Sequence, residues 1–592
     1  MSVRDDGPGP DPGPVAATEA ASDARTGRKG DRAMRFIATW AVLVAVLLAR
    51  KGWDEVPSGN ETTKLSHAQQ TASPGWAKGD FAFGGQEALY HHVYIKTSIV
   101  ISRWQSVAWF AAAHRIVNVL LFCAGFLALG RAIGLTDAGS VVAFVVYCGV
   151  FSLTPVLSWA AYLDLGASGL VRVWADPDPT AWGLALLACA AAVRFRWWLA
   201  APLAGLATTV HVLVGLQLSV PLMAYGIYKA ARGPKPVGRV LLLAAAWLVP
   251  ASPGLAAQVA SGRGHPYSAA ASRIYFERNN HHLEMRSPQQ YKQLAVAVVM
   301  LAGVLTLRRV TNDRRLSVDD GPIVVMLAAV GTYWALGTFW NLTDNYSLLR
   351  LYPFRTWPIV VIAGSLFLAR AVPRLRTPSP ESAGARMSAI RWLAIVVTAV
   401  ILSVVATRYR PEILLRSQRH VPFKVPFRYV QTTYLAPEPE RVASLYEWIK
   451  KTTPEGSMFL APPEFWWPGD FPWKTGRGLV YQAKAFPIEP MRLVEWARRR
   501  DLLEAFYQTD ADAPRFSERL TAILDDLRPD YLISRRTPVL DRVLSETPGV
   551  ETVFTSEHFR VLRTLRHSRR FSGATNGNRS FRSTLRSWAT SL

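Results

Sequence analysis

Apolar residues fall into long blocks along this chain, and short runs rich in arginine and lysine separate the blocks. The blocks lie at 34–48, 112–134, 138–160, 180–194, 198–228, 239–258, 293–308, 321–340, 355–372 and 390–406. Several approach the roughly 20 residues that a helix needs to cross the hydrocarbon core of a bilayer. This pattern predicts a polytopic α-helical membrane protein.

The basic runs between the blocks predict the topology, because lysine and arginine concentrate in short cytoplasmic loops. With the N-terminus inside, the runs at 194–196 and 229–239 are both cytoplasmic only if the block 198–228 crosses the membrane twice. The same count places the runs at 308–315 and 370–386 inside. We therefore predict about 11 transmembrane helices, with the N-terminus inside and the C-terminus outside.

Composition divides the chain into a transmembrane domain, a polar domain and two tails. Residues 1–33 are rich in proline, glycine, aspartate and alanine and predict a disordered cytoplasmic tail. The transmembrane domain, 34–408, begins with an uncleaved span, because no small-residue cleavage pattern follows it, and has a large first outer loop at 50–111. An extracytoplasmic domain follows at 409–565. Residues 566–592 carry six arginines and no acid and predict a disordered basic tail.

The extracytoplasmic domain alternates helical and strand-like segments, which is typical of a small α/β domain. The predicted helices are Pro437–Lys451, Met491–Phe506 and Phe516–Leu527, the predicted strands are Met458–Ala461, Leu479–Gln482 and Tyr531–Ser534, and Glu551–Leu565 is predicted as a hairpin.

The net charge of the chain is consistent with the interpretation as a membrane protein. The 592 residues include 67 basic and 43 acidic side chains, a formal net charge of +24, yet only 19% are charged. The basic residues punctuate apolar stretches such as Val240–Ala260 and do not lie on amphipathic faces, so nucleic acid is not a predicted partner. Cys123, Cys148 and Cys189 lie inside apolar blocks, without a disulfide framework or zinc-ligand spacing. The sequence has no Walker motif or Rossmann fingerprint, so we predict no cofactor.

The first outer loop carries two candidate catalytic acids, Glu61 and Asp80. A carboxylate near the membrane boundary can act as a general base when its surroundings keep its pKa near the working pH. The alternative is that an outer loop contains acids simply because it faces water.

The order of these residues resembles that of the GT-C superfamily of integral-membrane glycosyltransferases. Asn60-Glu61 stands where the lipid-linked-sugar branch has an Asp-Glu pair, and Gly79-Asp80 stands where that branch has a later Gly-Asp step. The resemblance implies many spans, an outer C-terminal domain and catalytic roles for Glu61 and Asp80. Asn60 departs from the pattern and removes one of the paired carboxylates.

A second resemblance lies in the C-terminal domain. The segments Leu445–Ile449 and Pro454–Pro463 are similar to a group of bacterial GT-C-like proteins of undefined substrate. Membership in that group implies the fold more strongly than it implies an activity.

Three residues near the outer ends of the spans are further candidates. Asp178, before Pro179 and Thr180, suits a helix cap, which leaves Asp176 as the acid that faces a cavity and binds substrate. His211 falls near the outer turn between the two crossings of 198–228. It is either a functional residue, because ionisable groups in spans are costly, or a neutral histidine bonded to backbone.

A polyprenyl-phosphate donor requires cations for its phosphate. Arg278 in the third outer segment and Arg350 in the fourth are the predicted binding residues. The alternative is that outer arginines contact lipid headgroups. His281 and His282 are adjacent and point apart on regular backbone, so we predict no metal site, and a divalent metal has no support from the sequence.

The leading hypothesis is a multi-pass glycosyltransferase of the bacterial plasma (inner) membrane. It moves a sugar from a polyprenyl-phosphate-linked donor to an acceptor on the outer face, with membrane lipids as further partners. The first alternative is a transporter or flippase of a lipid-linked glycan. Spans largely free of buried charge, and the lack of a two-fold internal repeat, weigh against it. The second alternative is a non-catalytic envelope assembly protein of GT-C ancestry.

Overall fold

A computed structural model describes residues 33–45, 47–48, 57, 61–83, 91–152, 175–262, 267–279, 283, 297–306, 321–371, 439–466, 469–483, 485, 487, 489–507 and 515–565. Nearly all of the predicted N-terminal tail, the predicted span at 390–406 and the basic tail at 566–592 lie outside these residues. Asn60, His281 and His282 lie outside them as well.

Helices dominate the described chain up to residue 371. They are α1 (Ala33–Ala45), α2 (Glu61–Lys64), α3 (Ser66–Ala72), α4 (His92–Ser102), α5 (Val107–Ala132), α6 (Asp137–Ser152), α7 (Pro177–Val193), α8 (Trp197–Val210), α9 (Val212–Ala231), α10 (Pro236–Gly262), α11 (Ala269–Arg278), α12 (Ala297–Thr306), α13 (Gly321–Leu342), α14 (Tyr346–Leu349) and α15 (Pro358–Ala371), with a 3₁₀ turn at Pro353–Thr356.

Within the described residues, five helices are long and apolar enough to cross a membrane. They are Val107–Ala132, Val212–Ala231, Pro236–Ala260, Gly321–Leu342 and Tyr346–Arg370. Shorter apolar helices, including α1, α8 and α12, accompany them. The chain is a multi-pass membrane protein, while the total of 11 spans and their orientation stay predictions.

The block 198–228 consists of two helices, α8 and α9, as the charge pattern predicts. They fold back on each other, since Thr208 Oγ1 lies 3.2 Å from Ser219 Oγ across the turn. A Cβ on Gly215 would lie 2.2 Å from the Cα of Thr208, so only glycine permits this approach. His211 is the single residue between the helices and has extended backbone.

Helices α5 and α7 of the membrane part pack closely against each other. A Cβ on Gly183 would lie 2.7 Å from the carbonyl carbon of Leu121, and one on Gly125 would lie 2.6 Å from the carbonyl oxygen of Gly183. Small residues let two helix backbones approach in this way. Phe122 and Phe126 lie in the adjoining core. This contact holds the N-terminal half of α5, which carries Arg115, against the start of α7, where the candidate site lies.

The C-terminal region forms a small mixed α/β unit. Its helices are α16 (Pro439–Thr452), α17 (Phe471–Thr475), α18 (Pro490–Tyr507), α19 (Phe516–Leu527) and α20 (Pro538–Glu546), with a 3₁₀ turn at Pro463–Phe465, and its strands are β1 (Met458–Leu460), β2 (Gly478–Leu479), β3 (Tyr531–Arg535), β4 (Val550–Thr555) and β5 (Phe559–Thr564).

The five strands form one sheet in the order β2-β1-β3-β5-β4. β1 pairs in parallel with β2 and β3, and Phe459 lies opposite both Leu479 and Tyr531. The hairpin β4–β5 adds antiparallel strands beside β3, with a register shift between Thr552 and Phe554. Each predicted helix and strand of this region is present, although β2 is shorter than the predicted Leu479–Gln482, and the helices α17 and α20 were not predicted.

The sheet region packs against the first outer loop and α11. Trp76 and Phe83 of the loop share a buried cluster with Ala485, and Tyr275 of α11 shares another with Trp466. The backbone N–H of Ala77 donates to the carbonyl of Gly476 at 3.0 Å. The loop that carries the candidate acids is therefore held between the membrane helices and the C-terminal region.

Candidate functional site

A cluster of buried and half-buried ionisable side chains lies where α2, α5, α7, α9 and the turn before α15 meet. Its members are Glu61, Lys64, Arg115, Asp176, Asp178, His211 and Arg355, and we call it the junction cluster. Each carboxylate of the cluster bonds a cationic side chain. Buried charges are tolerated in this way, because an unpaired ion loses its hydration without compensation.

Glu61 begins α2 and is fully buried. Its Oε1 accepts from Arg115 Nε at 2.7 Å and from the backbone N–H of Ala175 at 2.5 Å. Its Oε2 accepts from Arg115 Nη2. This two-bond ion pair joins the first outer loop to α5, and the Ala175 bond joins both to the start of α7.

Asp176 binds Lys64 and caps α7. Its Oδ1 lies 2.5 Å from Lys64 Nζ and accepts from the backbone N–H of Asp178 at 3.2 Å. The predicted division of roles between the two aspartates is thus reversed. Pro177 and Pro179 have no N–H, so the first donor that a cap can reach is Asp178, and the capping residue is Asp176.

Asp178 points into the junction cluster. Its Oδ2 accepts from Arg355 Nη2 at 2.8 Å, and its Oδ1 lies 2.6 Å from His211 Nε2. His211 Nδ1 accepts from the backbone N–H of Val214, at 3.2 Å. This bond assigns the proton to Nε2, which faces Asp178 Oδ1. His211 therefore caps α9 and binds a carboxylate at the same time.

His91 lies beside the cluster, and its ring centroid is 5.9 Å from that of His211. Burial lowers the pKa of His91 well below its usual value, and the nearby Lys64 lowers it further. The ring is therefore neutral near pH 7. Its buried Nδ1 has no hydrogen-bond partner among the residues that the structure describes.

Asp80, the second predicted catalytic acid, lies in a different environment. Its Oδ1 accepts from the backbone N–H groups of Ala82 and Phe83, at 2.9 and 3.3 Å. Its Oδ2 accepts from the Leu479 N–H at 2.9 Å and from Gln482 Nε2 at 2.5 Å. Burial raises the pKa of Asp80 to about 6, although these four bonds oppose the shift. Asp80 thus fastens the first outer loop to β2.

The two predicted substrate-binding arginines lie on the side of the C-terminal region. Arg278 Nη2 donates to the carbonyl of Ala483 at 2.6 Å. The Arg350 guanidinium lies 3.3 Å from the ring centroid of Tyr267 and 5.5 Å from that of Tyr275. The structure brings Glu61, Asp176 and His211 together and places Asp80, Arg278 and Arg350 in contacts outside the junction cluster.

Lys64, Arg115 and Arg355 were not predicted as site residues. Arg115 is a buried cation within the apolar block 112–134, and an ionisable residue inside a span is itself an indication of function. The description of the spans as largely free of buried charge therefore needs correction at Arg115. Lys64 had no comparable indication, because a lysine in an outer loop is ordinary.

The junction cluster does not fit a divalent metal. Metal sites require several oxygen or nitrogen ligands that converge on one point. Among the described residues, no group of three or more histidine, cysteine, aspartate or glutamate side chains is arranged to hold an ion. Glu61, Asp176 and Asp178 each face a different cation, an arrangement that suits ion pairs and not metal ligation.

Comparison with known proteins gives little beyond this geometry. Residues 440–503 match a domain of unknown function, DUF6798. No curated protein matches the chain. The crystal structure of ArnT from Cupriavidus metallidurans bound to undecaprenyl phosphate is similar over 89% of this chain and 97% of that chain, with 13% identity and a TM-score of 0.42. A likeness this low supports no inference about activity.

Proposed function

We propose that the protein is a membrane glycosyltransferase that uses a polyprenyl-phosphate-linked sugar as donor. The observation that carries the proposal is the junction cluster, in which buried carboxylates and cations converge at the end of apolar helices. Such a concentration of charge is costly in a membrane protein and marks functional sites. The sequence resemblance to the GT-C superfamily supplies the reaction class.

Lys64 and Arg355 are the proposed phosphate ligands. Their side chains are 13% and 18% exposed, whereas that of Arg115 is 5% exposed. An incoming phosphate can reach these two cations and replace the carboxylates that now pair with them. Arg278 and Arg350 are the proposed contacts for the remainder of the donor, on the side of the C-terminal region.

Binding of the phosphate to Lys64 and Arg355 releases Asp176 and Asp178 as proton acceptors. In the proposed reaction a carboxylate takes the proton of the acceptor hydroxyl, and the hydroxyl oxygen bonds to the anomeric carbon. The bond from that carbon to the phosphate oxygen breaks, and its electron pair leaves with the polyprenyl phosphate, which the cations stabilise. Glu61 stays a proposed base, and Asp178 joins it as a candidate.

Asp80 has a weaker case as the base, because all four of its hydrogen bonds come from neutral donors, two in the loop, one in β2 and one at Gln482 after β2. We propose for it a positioning role. The proposed location is a bacterial plasma membrane, with the acceptor on the outer face.

A transfer assay with purified protein in lipid nanodiscs tests this function. A panel of polyprenyl-phosphate sugars with a radiolabelled sugar is supplied, and both labelled product and released polyprenyl phosphate are measured. We expect Asp178→Asn to lower transfer by about 10²-fold or more. Lys64→Gln is expected to raise the KM for the lipid donor, and Asp80→Asn to change turnover by less than about tenfold. The control is Glu447→Gln, an exposed acid on α16 that pairs with Lys451.

Turnover equal to that of the wild type in both the Asp178→Asn and the Glu61→Gln variants would exclude the catalytic assignment. Movement of labelled lipid between leaflets without a new glycosidic bond would instead identify a flippase. Saturable binding of the donor without transfer or flipping, across the whole panel, would favour the non-catalytic assembly protein.

A further inference from the structure

A cavity of about 430 Å³ lies between the first outer loop and the C-terminal region. Its wall includes Trp76 of the loop, Lys450 at the end of α16, and Trp473 and Lys474 of α17. Its volume lies in the range of small-ligand sites. No residue of the junction cluster lines the cavity, so the proposed reaction does not use it.

Positive charge predominates in the cavity wall. Lys450, Lys474 and Arg477 line it, together with one acid, Glu455. Arg477 is buried, and its Nε and Nη2 are occupied by Thr453 Oγ1 and by the carbonyl of Lys450, at 3.0 and 3.2 Å, so it is a fixed part of the wall.

The two lysines differ in their surroundings. Lys474 Nζ lies 2.6 Å from Asp470 Oδ2, whereas Lys450 is exposed and has no carboxylate within ion-pair distance among the residues described. Lys450 therefore supplies the uncompensated charge that an anion would meet.

Aromatic rings form another part of the wall. The centroids of Trp76 and Trp473 are 5.0 Å apart, and Trp76 also stacks on Phe83 at 5.5 Å. An indole offers a large apolar face and keeps a polar N–H, which suits ligands with both apolar and hydroxyl-bearing surfaces. The indole N–H of Trp473 donates to the carbonyl of Thr62 at 2.9 Å, so this ring is held in place.

The cavity also lies at the level of the membrane surface. Val107 and Ala108, the first residues of the candidate span α5, line it. Trp104 and Trp109 beside them are 77% and 53% exposed, as is typical of tryptophans at the boundary between membrane and water. A headgroup in the outer leaflet and a soluble molecule can both reach this position.

We propose that this cavity binds an anionic polyhydroxylated ring, a sugar or cyclitol phosphate, with its phosphate at Lys450 and Lys474 and its ring against Trp76 and Trp473. This ligand is distinct from the polyprenyl-phosphate donor. Its source is either the headgroup of a phospholipid or a free sugar phosphate, because both present the same chemistry.

The test uses the full-length protein in phosphatidylcholine nanodiscs and myo-inositol 1-phosphate as the probe, with isothermal titration calorimetry. The matched variants are Lys450→Gln and Lys451→Gln. Lys451 is the neighbouring exposed lysine on α16, pairs with Glu447 at 2.6 Å and does not line the cavity. Both variants lose one charge, so long-range electrostatics change equally. We expect Lys450→Gln to weaken binding about fivefold and Lys451→Gln to leave it unchanged.

Uncharged myo-inositol and inorganic phosphate are titrated in parallel, and each is expected to bind at least about fivefold more weakly than the combined molecule. Equal weakening by both lysine variants, phosphate binding as tight as that of the probe, or no binding of the probe would overturn the proposal. Nanodiscs that contain phosphatidylinositol distinguish the sources. Competition with the soluble probe assigns the site to a lipid headgroup, and unchanged binding assigns it to a free molecule.

Discussion

Glu61 and Asp80 lie in the same outer loop, and both carboxylates are buried, yet their partners differ in kind. Glu61 is neutralised by the guanidinium of Arg115. Asp80 accepts hydrogen bonds from three backbone amides and from Gln482 and has no cation among these partners. One carboxylate thus belongs to a charge network at the end of the membrane helices, and the other joins two parts of the polypeptide.

The difference shows that burial of an acid does not by itself indicate catalysis. A carboxylate paired with a cation stays ionised in a dry environment, and rearrangement of the pair can change its reactivity. A carboxylate bonded only by amide N–H groups holds the segments that carry those groups in position. Its negative charge, without a neighbouring cation, makes burial unfavourable. If the two roles are as separate as the contacts indicate, substitutions at Glu61 and at Asp80 should have different effects on activity and on stability.

The largest effect is expected for Glu61→Gln. Transfer should fall at least about 10²-fold, and the free energy of unfolding should fall by about 3–5 kcal/mol, because the buried Arg115 guanidinium loses the carboxylate that compensates its charge. Chemical denaturation in detergent and the transfer assay measure the two effects. The double variant Glu61→Gln/Arg115→Met removes both charges and should regain much of the stability without regaining activity. If activity returned with stability, Glu61 would have only a structural role.

A smaller effect, on stability alone, is expected for Asp80→Asn. Each oxygen of Asp80 accepts two N–H groups, so either orientation of an amide places its NH₂ against two donors. The free energy of unfolding should fall by about 3 kcal/mol. Turnover per folded molecule should stay within about tenfold of the wild type. A loss of turnover as large as that of Glu61→Gln, at unchanged stability, would contradict the separation of roles.

The third prediction concerns pH. The pKa of Asp80 is about 6 in the folded protein, above its ordinary value of 3.8, so the folded state binds a proton more readily than the unfolded chain. Protonation of Asp80 therefore contributes favourably to the free energy of unfolding. This contribution is complete below the ordinary pKa of 3.8 and is lost as the pH rises through 6. Between pH 4.5 and 7.5 this contribution should decline by about 2 kcal/mol.

The measurement is the difference in unfolding free energy between the wild type and the Asp80→Ala variant across this pH range. The variant removes the titration of this one group, so the other ionisable groups cancel in the difference. A difference that does not depend on pH would show that folding does not raise the pKa of Asp80.

The smallest effect is expected for Trp473→Phe. The substitution keeps an aromatic ring and removes the N–H that donates to Thr62, the residue that follows Glu61 in α2. We expect a loss of about 1 kcal/mol in stability and a fall of a few-fold in kcat with little change in KM. The matched control is Trp448→Phe on α16, whose ring stacks on Phe554 away from the loop. Identical kinetics in both variants would show that this bond does not position α2.

The elements that periodicity and turn residues specify locally could be predicted from the sequence. The helix at Pro439–Thr452 has strong amphipathic spacing, and the polar residues Ser556-Glu557-His558 mark the turn of the hairpin β4–β5. The division of 198–228 into two helices followed from the positive charge of the flanking loops, because that charge determines the orientation of helices during membrane insertion. These features depend on short segments of sequence.

The candidate site depends on contacts between distant segments and could be predicted only in part. Glu61 and Arg115 are 54 residues apart, and Asp178 and Arg355 are 177 residues apart. The local sequence of either segment does not identify the partner, because the pairing depends on how the whole chain folds. The exchange between Asp176 and Asp178 was a local error, since the two prolines already determined which N–H a cap could reach.

The hydrogen bonds of Asp80 can form only late in the synthesis of the chain. They join the first outer loop to residues 399 and 402 positions later, and Trp473 reaches back 411 positions to Thr62. During synthesis the early helices emerge long before these partners exist. The loop that carries Glu61 therefore lacks its contacts with Leu479, Gln482 and Trp473 until the C-terminal region has been synthesised. A nascent chain that stops before Gly478 should insert its helices but leave this loop open to protease, so completion of the site reports that translation has passed that point.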